Sequence, residues 1–134
     1  MKVALHIGQI TQPIPGGIGR YTQSLIESLP KDEVTLYTFA CADEVENAPR
    51  YSKVSRFNFR LEYELWHRFR NRELGITGDL IHAPSFAVPS SPNQPLVVTA
   101  HDIAFMRHPS AFSRRGVRFH TKGLKIARKE ACAL

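Results

Sequence analysis

The sequence predicts an α/β fold, a parallel sheet covered by helices on both faces. Short aliphatic or β-branched runs alternate with stretches of helical periodicity along nearly the whole chain, and successive βα units impose parallel strands. The apolar runs, such as Val3 to Leu5 and Leu96 to Val98, are strand-length and far short of the ~20 residues that a membrane-crossing helix needs. With 134 residues, 43% hydrophobic and 22% charged, the chain is one domain's worth. It can bury a core and does not resemble a disordered tail or a fibre.

Lys2 to Ile7 is aliphatic and loosely alternating, a buried first strand. A loop from Gly8 to Gly16, stiffened by Pro13 and Pro15, leads into an amphipathic helix over Gly17 to Leu29. Its apolar residues Ile18, Tyr21, Leu25, Ile26 and Leu29 step by three and four, and Pro30 ends it. Glu33 to Ala40 is β-branched and aromatic, a second strand. Residues 41–52 read as a polar surface connection, and Lys53 to Phe59 as a short strand. Leu61, Leu65, Trp66, Phe69 and Leu74 then mark one face of a basic helix closed near Gly75 and Gly78. Asp79 to Ala83 and Leu96 to His101 are further strands, separated by the Pro/Ser-rich loop Pro84 to Pro95. Phe112 to Leu134 looks helical. The chain is thus expected to stop inside its last helix, one strand short of a complete domain.

The net charge of +6 is unevenly spread: residues 1–49 carry −3, residues 50–72 carry +5, and residues 107–129 carry +8 with no acid. Such a field attracts phosphates, nucleic acid or an anionic bilayer, or simply solvates a long basic face. Cys41 and Cys132 are too few for a disulfide framework or a metal set and read as small packing residues in a reducing compartment. The amino end, Met1 to His6, lacks the apolar core and cleavage site of a signal peptide.

In open parallel sheets ligands sit beyond the carboxyl ends of the strands. The residues to weigh are therefore Gly8 to Gly19, His82 to Ser85 and His101 to Arg107. Gly16 and Gly17 can take positive φ and present bare amides at a helix N-terminus, whose partial charge suits a phosphate; equally, a tight turn could need glycine there. The glycine fingerprint of dinucleotide sites fails at Thr22, no acid ends the second strand, and no phosphate-binding G-x-x-x-x-G-K-[ST] occurs. A dinucleotide dehydrogenase and a P-loop phosphotransferase are disfavoured. His101 and Asp102 directly follow a strand, where the imidazole can bond a substrate hydroxyl and the carboxylate can fix its tautomer or bind a hydroxyl itself. His6, His67, His108 and His120 read as structural, with His82 intermediate. Neither a metal-binding H-E-x-x-H nor a hydrolase G-x-S-x-G is present.

The order of these pieces is specific: a strand, Pro15-Gly16-Gly17-Ile18-Gly19-Arg20-Tyr21, Asp79 to Pro84, Val97 to Asp102, then Arg107-His108-Pro109. It resembles the N-terminal domain of the group-one (family-four) retaining glycosyltransferases of GT-B fold, most of all their mannosyltransferase-like branch. The resemblance covers nearly the whole chain. It implies a Rossmann-like domain, residues 1–134, incomplete at its C-terminus and lacking the donor-binding second domain. It also implies transfer of a sugar from a nucleotide-diphosphate donor to the hydroxyl of a saccharide or lipid-linked acceptor, with retention and without a metal. Gly16 and Gly17 then match the loop near the donor diphosphate, Arg20 is a cleft contact, and His101 with Asp102 matches the group that holds the transferred sugar. The resemblance implies a cytoplasmic enzyme, peripheral at the inner membrane face, with no nucleic-acid partner, and the present half alone is expected to be inactive. Two other readings stand beside it: a basic module binding nucleic acid or anionic membrane through residues 50–72 and 107–129, and a flavodoxin-like domain without an active site.

Overall fold

A computed structural model describes residues 1–11, 14, 16–41, 53–76 and 78–134. Pro13, Pro15 and the connection over 42–52 lie outside the described residues. Among the described residues the chain runs β1 (Lys2–His6), α1 (Gly17–Ser28), β2 (Thr35–Ala40), β3 (Lys53–Val54), α2 (Phe59–Arg68), β4 (Leu80–Ala83), β5 (Leu96–Val98), α3 (Ala104–Arg107) and α4 (Arg114–Glu130). The strands form one sheet in the order β3-β2-β1-β4-β5, and every neighbouring pair is parallel. The protein is therefore an α/β, Rossmann-like domain, as the alternation of strands and helices predicts.

The two sides of the sheet are filled by alternate residues of the same strands, as a period of two requires. Ala4 and Phe39 belong to a core with Trp66, Tyr63 and Ala127 from α2 and α4. Their neighbours Leu5 and Ala40 belong to the opposite core, against Leu25 and Ile26 of α1. Both faces being dry explains why β1 reads as a nearly unbroken apolar run. His6 is fully buried, with Nε2 3.2 Å from the Tyr63 hydroxyl. Cys41 is buried and Cys132 exposed, and the two do not form a disulfide.

Several sequence expectations are corrected. The strand expected over Lys53 to Phe59 stops at Val54, because Asn58 accepts a bond from the Leu61 amide and starts α2 at Phe59. The expected apolar stripe of α2 matches its buried face only in part: Trp66 is in the core and Leu74 packs against it. Leu61 and Phe69 are exposed, while Glu62, Tyr63, Trp66 and His67 turn inward. The buried Glu62 carboxylate is acceptable there because Oε1 receives Trp66 Nε1 at 2.8 Å and Arg72 at 3.0 Å. The helix ends at Arg68, and the positive φ of 57° falls at Gly75, in the irregular segment that follows. The strand expected to reach His101 ends at Val98. Serine 113 caps α4 through the Gly116 amide at 3.1 Å, so this helix begins at Arg114 rather than Phe112. It also ends before the chain does. Cys132 donates its amide to Leu96, and Val98 donates to Ala133, so the last residues run parallel along β5 instead of continuing the helix.

Candidate functional site

A parallel sheet sends the loops after β1, β4 and β5 to one end, and that end assembles His101. The ring is exposed, but its Nε2 lies 3.0 Å from the carbonyl oxygen of Pro84, just past β4. A carbonyl only accepts, so in the neutral ring Nε2 carries the proton and Nδ1 is the acceptor. Tyr21 of α1 meets the imidazole edge-on, ring centroids 4.9 Å apart. The Tyr21 hydroxyl is 3.2 Å from Thr99 Oγ1, which is 2.9 Å from His82 Nε2. This polar chain ties the helix to β4, and burial lowers the pKa of His82 so that its ring is neutral at pH 7.

Asp102 does not set the tautomer of His101; the Pro84 carbonyl does. Asp102 Oδ1 instead accepts the Ala104 amide at 2.9 Å, a local turn that launches α3. The carboxylate is exposed and acts on a different imidazole, His120. Burial lowers the pKa of His120, and Asp102 opposes that shift by attraction.

The glycines at the start of α1 do not use positive φ. Gly16 is the N-cap at φ −71°, and Gly17 is already helical. A methyl built at either position meets nothing within 4 Å. With no side chain at the cap, Gly16 makes no side-chain bond to the first-turn amides. Arg20 is exposed on the outer side of the same turn.

Between α1, α3 and α4 lies a cavity of about 300 Å³. Ile18, Thr99, His101, Asp102 and Gln9 stand at it beside Phe86, Phe105, Phe112, Phe119 and His120. The structure thus brings His101 and Asp102 into one hollow with the first turn of α1. Gly16 and Gly17 sit just before Ile18 without lining the cavity, and Arg20 does not line it either. Tyr21, Thr99 and His120 were not legible as site residues. Tyr21 shares the helical face of Ile18, which was a usable signal, whereas His120 arrives only through the packing of α4. Phe105 stacks on His120 at 5.3 Å, and Phe86 meets Phe105 edge-on at 5.7 Å.

Among the described residues no group of three or more His, Cys, Asp or Glu is placed to hold a metal ion. No described helix is long and apolar enough to cross a membrane. Compared with family models, curated proteins and solved structures, the chain finds no match.

Proposed function

We propose that this chain is the acceptor-side half of a retaining glycosyltransferase that moves a sugar from a nucleotide diphosphate to an acceptor hydroxyl. The observation that carries the reading is that Ile18, in the first turn of an α1 whose N-cap has no side-chain bond, lines the same cavity as His101, whose ring is aimed by the Pro84 carbonyl. Charge builds on the leaving diphosphate as the glycosidic bond breaks, and open amides at Gly16 and Gly17 would stabilise it there. The absence of any packing need for glycine at these positions supports approach of a ligand to bare backbone. His101, with Nδ1 able to accept, and Asp102 would stand where the transferred sugar meets the acceptor hydroxyl. The donor nucleotide would be held chiefly by a second domain that supplies further cations. No metal or other cofactor enters the proposed step.

The test is kinetic. In an enzyme joining this domain to a donor-binding half, His101→Ala is expected to lower turnover by about a hundredfold while the thermal transition is kept. Turnover near that of the parent removes His101 from the site. For the 134-residue chain alone, the expected result is no transfer.

A second reading is supported by exposed Ile103, Met106 and Phe112 beside Arg107, Arg114 and Arg115. This surface would hold the enzyme to an anionic bilayer. Binding to vesicles of phosphatidylglycerol that weakens steeply with salt supports it, and salt-independent or absent binding counts against it.

A further inference from the structure

The polarity of the cavity changes with depth. Its mouth carries the exposed His101 and Asp102, whereas Phe105 is 2% exposed and Phe86 6% exposed. His120 closes the far wall, stacked on Phe105 and meeting Phe112 edge-on at 6.3 Å. Burial holds that imidazole below its ordinary pKa, so it is neutral at pH 7 and the interior carries no fixed charge. A volume of about 300 Å³ is at the small end of ligand sites, enough for one or two rings.

We infer that the cavity seats an acceptor whose hydroxyl is borne on an apolar or aryl ring, with the hydroxyl at His101 and Asp102 and the ring against Phe105 and Phe112. The assignment rests on the transfer reading and narrows its acceptor. The lining also carries Gln9, Ser85 and Thr99, but a polyhydroxylated ring would set most of its hydroxyls against the phenyl walls, where they lose water. A ring with a single hydroxyl loses nothing, because its polar atom stays at the mouth. Aromatic walls at stacked and edge-on angles suit an aryl guest, which finds both faces and edges to pack on.

The experiment titrates the 134-residue chain with three probes, benzyl alcohol, toluene and methyl glucoside, following amide resonances of residues 99–105 and 112–120. Benzyl alcohol is expected to saturate these shifts at a concentration about tenfold or more below that of methyl glucoside, the margin that burying one aryl ring gives. Phe112, 36% exposed at the edge of the site, can be truncated without opening the core. Phe112→Ala is expected to weaken benzyl alcohol about fivefold or more, and Phe112→Leu to restore most of the loss. His101→Ala is expected to weaken benzyl alcohol but not toluene, which locates the hydroxyl. Methyl glucoside binding as tightly as benzyl alcohol overturns the assignment. So does indifference to Phe112→Ala, or equal responses of benzyl alcohol and toluene to His101→Ala, or no saturable binding of any probe. In an enzyme joining this domain to a donor-binding half, no transfer to any acceptor with these preferences intact counts against the transfer reading alone. Transfer that proceeds only to polyhydroxylated acceptors counts against the ring assignment alone.

Discussion

The amino end of α1 and the middle of α4 both carry glycine, for opposite reasons. At Gly123 an added methyl would lie 2.3 Å from the Phe86 carbonyl oxygen and 2.7 Å from Phe86 Cβ. Helix α4 can lie against the segment after β4 only because this side chain is missing. At Gly16 and Gly17 the same methyl meets nothing, and the backbone needs no special angle. The first glycine is required by the protein's own packing. The second pair is not, and it begins a helix whose N-cap makes no side-chain bond. Identical residues in two helices therefore separate a position that packing constrains from one that it does not.

Four measurements break or sharpen this contrast. Gly123→Ala should cost about 3 kcal/mol in chemical denaturation, because backbone atoms on both sides must move; a change below 1 kcal/mol would mean that α4 slides freely. Acid should act on the same region through His67. Its Nε2 lies 3.0 Å from the Phe86 carbonyl, and burial, the largest influence, pulls its pKa from 6.5 to about 4. Between those values the unfolded chain takes up the proton and the folded chain does not, so stability falls as pH drops. The loss from pH 6.5 to 4 should reach about 3 kcal/mol, and His67→Phe should flatten it. Replacing the exposed His101 with Ala should change stability by less than about 1 kcal/mol. Smallest of all, Gly17→Ala should leave the melting transition within about 0.5 kcal/mol of the parent while weakening any nucleotide-sugar binding. A large loss of stability there would place this glycine with Gly123, and the contrast would fail.

The fold was legible because its sheet is dry on both sides. Val3 to Leu5 and Leu96 to Val98 are apolar enough to declare buried parallel strands, and Ile18, Tyr21 and Leu25 declare α1 by their spacing. Element ends were less legible. Asn58 and Ser113 are caps that moved the starts of α2 and α4, and neither stands out before the chain is folded. The inward face of α2 was read only in part: Trp66 was legible, but Glu62 and His67 are polar residues made tolerable by Arg72 and the Phe86 carbonyl. For the site, position after a strand was enough to single out His101 and Asp102. It could not show that Asp102 accepts the Ala104 amide at the start of α3, or that His120, far along the chain on another helix, lines the same cavity.

Arg70 lies outside that cavity yet bears on it. Its guanidinium bonds the carbonyls of Trp66, Val88 and Pro89 and pairs with Glu130 at 2.9 Å. The segment it grips begins at Pro84, whose carbonyl aims the imidazole of His101. A guanidinium just past the end of α2 thus straps the main chain that leads from the carbonyl holding the His101 ring. Arg70→Lys, a single point charge in place of a five-donor fork, should broaden the His101 ring resonances before it unfolds anything.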